Sequence, residues 1–196
     1  LLPSLNLLAQ TLHEWAFAAK NSFDVLCVCS DKTVGKRDKE DMALGEAPFS
    51  VTSDLSVISD FISNNVHKVI FCTYQSSDLI AEVQSDKSIN PFDLVIADEA
   101  HRCSDAAFSK VLDDEAIRAT KRLFTTATPR LYSSSVKKAA ADRGIEVYGM
   151  DDEAVFGPVL HTLTFGQAIT EDLLNDYQVV IVGVDQPMIK EWIENQ

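Results

Sequence analysis

The sequence predicts an α/β fold, a parallel sheet with helices on both faces, and three observations carry that expectation. Short runs rich in β-branched and aromatic residues alternate with segments whose apolar residues recur every three or four positions, as strands joined by crossover helices do. The runs are apolar throughout rather than alternating, which burial of a strand on both faces requires. A chain of 196 residues, 46% hydrophobic, with few glycines and prolines and no internal repeat, suffices for one sizeable core.

From Ser4, a residue suited to an N-cap, the side chains of Leu5, Leu8, Leu12, Trp15 and Ala19 line one face of an amphipathic helix. The run 23-FDVLCVC-29 reads as a strand. Residues 31–41 hold eight charges in eleven positions, so the stretch on to Pro48 reads as a solvated loop or small insertion. A second helix fits 54-DLSVISDFISNN-65, with Leu55, Ile58 and Ile62 on one face. It leads to the strand 67-HKVIFCTY-74, a helix over 77-SDLIAEVQ-84 and the strand 92-FDLVIAD-98. A helix within 105–119 precedes the strand 121-KRLFTTAT-128. Another helix runs from about Leu131 to Gly144, a natural residue for the left-handed turn past a helix end. The remainder reads as the run 145-IEVYGM-150, a mixed stretch, a helix near 167–174, the strand 177-YQVVIVGV-184 and a terminal helical segment.

No apolar run approaches the roughly 20 residues needed to cross a bilayer, so no membrane partner is expected. Four cysteines (Cys27, Cys29, Cys72, Cys103) are too few for a disulfide framework in a chain of this size, which points to a reducing cytoplasm. Cys27 and Cys29 share a strand face and lack the chelating spacing of a zinc site, so they read as core thiols. The net charge of −13 argues against a nucleic-acid partner, since phosphate binding usually leaves a basic footprint.

The most informative stretch is 94-LVIADEAHRC-103, where an apolar strand runs straight into two carboxylates and a histidine. In open α/β sheets, ligands sit beyond the carboxyl ends of the strands, where Asp98 and Glu99 are placed. Magnesium favours a few carboxylate and water oxygens and completes its shell with nucleotide phosphates. One carboxylate for the metal and one for the attacking water is an economical set for hydrolysing a nucleoside triphosphate. Position alone is weak, because two acids after a strand also begin an ordinary solvated turn.

The larger pattern is more specific. Asp98-Glu99-Ala100-His101 resembles motif II, the DEAH box of superfamily 2 helicases, and Thr126-Ala127-Thr128 within 125-TTATPR-130 resembles motif III. Upstream, 3-PSLNLLAQT-11 looks like motif Ia and 73-TYQS-76 like motif Ib. The four stand in family order, at strand ends or helix starts, and the resemblance extends from Leu1 to about Val184. Its wording is most similar to DNA translocases associated with restriction enzymes and to phage- or plasmid-borne helicases. The fold implied is RecA-like, of the P-loop NTPase type.

The P-loop itself, G-x-x-x-x-G-K-[ST], is not found. In 30-SDKTVGKR-37, Ser30 stands where the first glycine belongs and Arg37 replaces the hydroxyl residue. In the family the P-loop lies upstream of motif Ia, and Leu1-Leu2 looks like the tail of a strand. The expectation is an incomplete first RecA-like domain over 1–184, lacking the P-loop segment. Residues 185–196 would begin a linker toward a second motor domain.

The resemblance implies ATP and magnesium as the nucleotide and cation of the full-length protein, and DNA as its track. Asp98 would hold magnesium through water, Glu99 would polarise the attacking water, and His101 would couple the nucleotide site to motif III. Thr126 and Thr128, with Arg130, would pass nucleotide state to the DNA track. Ser4, Asn6 and Gln10 in motif Ia, and Thr73, Gln75 and Ser76 in motif Ib, would touch the DNA backbone. Hydroxyls, amides and helix N-termini bind phosphate without lysine, which eases the charge objection. The expected function is part of an ATP-dependent DNA helicase or translocase, inactive on its own. The alternatives are a degenerate motor domain serving as a protein-interaction module, and a nucleotide hydrolase that uses no DNA.

Overall fold

The structure is a computed structural model that describes residues 1–30, 50–64, 67–104, 106–144 and 147–178. The chain falls into two compact units, Leu1–Gly157 and Pro158–Gln196. In the first, the strands are β1 (Asp24–Val28), β2 (Val51–Thr52), β3 (Lys68–Cys72), β4 (Val95–Asp98) and β5 (Arg122–Thr125). Around them lie the helices α1 (Leu5–Ala18), α2 (Leu55–Ser63), α3 (Ser77–Gln84), α4 (Ser134–Ala141) and the single turn α5 (Glu153–Phe156).

The strands pair as β2-β1-β3 and as β4-β5, all parallel. Leu1 and Leu2 join the two groups. On one side the Leu2 amide donates to the Cys72 carbonyl (2.9 Å), and the Tyr74 amide donates to the Leu2 carbonyl (3.0 Å). On the other, the Leu1 nitrogen donates to the Ile96 carbonyl (2.7 Å), and the Asp98 amide donates to the Leu1 carbonyl (3.1 Å). Both patterns are parallel, so the carboxyl ends of β1, β3, Leu1–Leu2, β4 and β5 lie along one edge.

Neighbouring strand residues point to opposite faces, and the core divides accordingly. Cys27 and Phe71 pack with Leu2 and Leu8, so α1 covers one face. Val28 and Cys72 pack with Ile58, Ile62, Ile80 and Val83, so α2 and α3 cover the other. The predicted doubly covered parallel sheet is what forms. Two of these helices, α1 and α2, start at a side-chain cap. The Ser4 hydroxyl accepts from the Leu7 amide (3.3 Å) and the Asp54 carboxylate from the Ser56 amide (2.8 Å), supplying orphan first-turn donors with partners. All four cysteines are free and buried, and burial pushes the Cys27 thiol up to about 11 and that of Cys72 up to about 12. No described helix is long and apolar enough to cross a membrane.

Several expectations need correction. The helix expected within 105–119 is a 3₁₀ segment, Ala106–Val111, preceded by another at Ala100–Ser104. Beyond it the Asp113 carboxylate accepts from the Glu115 amide (2.8 Å), a local turn that competes with helix propagation. The helix expected from Leu131 is shorter, starting from its cap at Ser133, and Gly144 stands at φ +68 in the turn after it. Further on, the Met150 amide donates to the Arg130 carbonyl (2.8 Å). β2 was not expected, being only two residues long. Residues 31–49, 145–146 and 179–196 lie outside the described residues, and with them the charged loop, the start of 145-IEVYGM-150, most of the strand expected at 177–184 and the terminal helical segment. In the second unit, the helix expected near 167–174 is α6 (Phe165–Thr170), capped by Thr164, with the rings of Phe165 and Tyr177 5.7 Å apart.

A buried amide secures the segment that feeds β4 and β5. Gln84 ends α3 with no exposed surface. Its Oε1 accepts from the Arg118 amide (2.7 Å) and its Nε2 donates to the Arg118 carbonyl (3.2 Å). The Arg118 guanidinium returns three bonds, to the carbonyls of Gln84, Asp86 and Ile89, satisfying groups at the end of α3. Gln84→Leu would strand the Arg118 amide, while the Arg118 carbonyl keeps its bond from the Phe92 amide (3.0 Å). Urea unfolding is expected to show a loss of about 1–3 kcal/mol, the cost of one orphaned buried group.

Candidate functional site

The site is built where β4 and β5 end. Their register pairs Asp98 with Thr125, so both strands release their chains at the same level. The Thr125 hydroxyl donates to Asp98 Oδ1 (2.8 Å), and the Glu99 amide donates to the same oxygen (3.0 Å). Two donors on one oxygen fix the plane of the Asp98 carboxylate and hold it at the strand mouth.

Glu99 follows in the left-handed region, at φ +53. A residue with a Cβ pays about 1–2 kcal/mol for that conformation. It allows the chain to leave the strand and enter the 3₁₀ turn at once, with the Arg102 amide donating to the Glu99 carbonyl (3.0 Å). The turn brings His101 back over the strand end.

Around His101 Nδ1 three oxygens converge. Thr126 Oγ1 lies at 3.0 Å, Thr128 Oγ1 at 3.3 Å and Glu99 Oε2 at 3.3 Å. The Thr128 amide in turn donates to Thr126 Oγ1 (3.1 Å). One ring nitrogen carries at most one proton, so it cannot serve all three oxygens as donor. With a proton on Nδ1 it donates toward Glu99 or a threonine; without one it accepts from a hydroxyl. The cluster therefore has more than one hydrogen-bonding arrangement of similar geometry. The side chains of His101 and Glu99 are 21% and 37% exposed, open to a ligand but sheltered enough to hold their geometry.

The other sequence-selected residues divide by exposure. The Leu2–Thr73 bridge sets the start of α1 beside the turn that follows β3. Ser4 is half-buried as the cap, while Asn6, Gln10 and Gln75 are exposed. Thr73 and Ser76 are 3% and 1% exposed. Thr73 Oγ1 donates to Ser76 Oγ (3.0 Å), which accepts from the Ser30 amide (2.8 Å), so both hydroxyls brace the turn from inside. As placed, both hydroxyls face inward, whereas Gln75 is exposed. Arg130 is exposed, two residues past Thr128.

Two contributors were not singled out from the sequence. Thr125 is identifiable only once the β4–β5 register is known. Tyr74 is 1% exposed, and its hydroxyl donates to the Asp98 carbonyl (2.7 Å). Its signal was available: a tyrosine buried at a strand end must find its hydroxyl a partner.

Among the described residues no group of three or more histidine, cysteine or acidic side chains could cage a metal. Magnesium needs no such cage: it is held by one or two carboxylates and completes its shell with water and phosphate oxygens. The donors present at this strand mouth, a carboxylate and threonine hydroxyls, are hard oxygens of the kind it takes.

A parallel sheet covered on both faces, with an acidic pair and a threonine-bearing loop meeting at adjacent strand ends, defines a RecA-like motor domain of the superfamily 2 helicase kind. The chain belongs to the family described as type III restriction enzyme, res subunit, whose family model matches residues 1–131. Among curated proteins it is similar to the probable helicase A859L of African swine fever virus. It is 29% identical to that of isolate Tick/South Africa/Pretoriuskop Pr4/1996 over 202 residues, covering 97% of this chain and 20% of the relative. To that of isolate Pig/Kenya/KEN-50/1950 it is 27% identical, covering 100% and 20%. Among solved structures it is similar to a nuclease-deletion mutant of the type ISP restriction-modification enzyme LlaGI, in complex with a DNA substrate mimic. That match has a TM-score of 0.66 and 33% identity, covering 90% of this chain and 14% of LlaGI. The chain thus spans about a fifth of the length of its curated relatives.

Proposed function

We propose that this chain is part of a longer ATP-driven DNA translocase or helicase. Residues 1–184 would form the body of its first motor domain, and 185–196 would lead toward a second. The observation that carries this reading is the junction of Glu99, His101, Thr126 and Thr128 around one ring nitrogen, beside a carboxylate fixed at the end of β4. An acidic docking surface has no physical need for such a junction.

In this reading Asp98 would hold magnesium through water, and the cation would offset phosphate charge when nucleotide is bound. Glu99 polarises the attacking water, and its left-handed backbone aims the carboxylate out of the strand mouth. His101 links that carboxylate to Thr126 and Thr128, with Arg130 next in the same loop. The α1 start (Ser4, Asn6, Gln10) and Gln75 form the DNA-facing edge. Thr73 and Ser76 support that edge from within. Alone, residues 1–196 offer ATP two carboxylates and no phosphate cradle among the described residues, so the isolated chain is proposed to be inactive.

Support for DNA as the track comes from LlaGI, whose solved complex contains a DNA substrate mimic. The test is ATP hydrolysis by the full-length protein with and without duplex DNA. Magnesium-dependent hydrolysis that DNA accelerates is the expected result. A docking module would hydrolyse nothing, and a hydrolase without a DNA track would ignore the duplex.

A further inference from the structure

We infer that Tyr74 is a positioning residue for Glu99: its hydroxyl, donating to the Asp98 carbonyl, holds the Asp98–Glu99 peptide in the orientation that places Glu99 at φ +53. This rests on the proposed role of Glu99 in activating water.

A peptide is a rigid plane, and its orientation sets ψ of the residue before it and φ of the residue after it. Here the plane is held at both ends. Its carbonyl accepts from Tyr74 Oη (2.7 Å), and its N–H donates to Asp98 Oδ1 (3.0 Å). The Asp98 anchor is local and moves with the strand end. The Tyr74 anchor comes from elsewhere: its own amide is bonded to the Leu2 carbonyl (3.0 Å), and its ring packs on Phe108, with centroids 5.6 Å apart. The hydroxyl is therefore a fixed point against which the strained Glu99 backbone is set. Tyr74 also sits between Thr73 and Gln75, so the same residue ties the DNA-facing turn to the carboxylate.

Removing the hydroxyl alone leaves the ring packing intact and frees the peptide to rotate, so Glu99 loses its aim while ATP contacts stay in place. In the full-length protein, Tyr74→Phe should lower kcat for DNA-stimulated ATP hydrolysis by about tenfold, with KM for ATP within about twofold. The decisive readout is the same substitution in a Glu99→Gln background, followed by single-turnover hydrolysis. A residue acting through Glu99 has nothing left to position there, so Tyr74→Phe should add no further loss. Unchanged kcat in the single variant overturns the inference, as does an equal tenfold loss in both backgrounds, which marks a purely structural role. Full turnover in Glu99→Gln alone removes Glu99 from the chemistry, and that outcome refutes the proposed site rather than the peptide's anchoring alone.

Discussion

Glu99→Gln in the full-length protein is expected to leave nucleotide binding intact and to slow turnover by about a hundred- to ten-thousandfold, the range that a positioned general base supplies. The amide is nearly isosteric with the carboxylate, so it can keep the 3.3 Å approach to His101 Nδ1 and the φ of +53. It cannot draw a proton from water. Asp98 is untouched, with Thr125 and the Glu99 amide still on its Oδ1. ATP titration and steady-state hydrolysis on one preparation check both halves. Wild-type turnover would remove Glu99 from the mechanism, and lost ATP affinity would make it a binding residue.

Thr126→Ala combined with Thr128→Ala should separate hydrolysis from movement. The two hydroxyls reach His101 and make no bond to Asp98 or Glu99 among the described contacts; Asp98 is held instead by Thr125. Removing them leaves the Asp98 and Glu99 carboxylates in place, so hydrolysis should stay within about tenfold, a barrier change of roughly 1.4 kcal/mol. His101 loses both of its neutral partners and keeps only Glu99, so the junction can no longer exchange one arrangement for another. A two-state element of this kind is what couples a nucleotide site to a track. Displacement of a strand or of a triplex should therefore fall much further than hydrolysis. Equal losses would place the threonines in the chemistry or in the fold.

The regular elements were legible because local signals and burial agree in them. The bounds of α3 are those of 77-SDLIAEVQ-84, and Ser4 caps α1 as its position before an amphipathic run suggests. The strands β3 and β4 lie inside apolar runs that could be nothing else in a doubly covered sheet. Legibility failed where a distant contact decides the backbone. Between residues 100 and 119 two 3₁₀ segments and the turn and bend after them put Cys103, Val111 and Ile117 into the core, at a spacing no helical period announces. In the site, the acidic pair and the threonines could be read from the sequence. The Asp98–Thr125 register and the left-handed Glu99 could not, because each depends on a partner brought there by the sheet; Tyr74 announced a hydroxyl in need of a partner, but not that the partner is the Asp98 carbonyl. The burial of Thr73 and Ser76 is the converse case: hydroxyls that suit phosphate contact equally suit a buried turn, and only the fold distinguishes the two.

The proposed role of this site is to drive movement along DNA. The most direct measurement is displacement of a triplex-forming strand from duplex DNA by the full-length protein with ATP and magnesium, set beside its Glu99→Gln variant. Displacement by the wild type that requires hydrolysable ATP and disappears in Glu99→Gln is the predicted result. Displacement that persists in the variant or without ATP, or DNA-stimulated hydrolysis with no displacement at all, would contradict it.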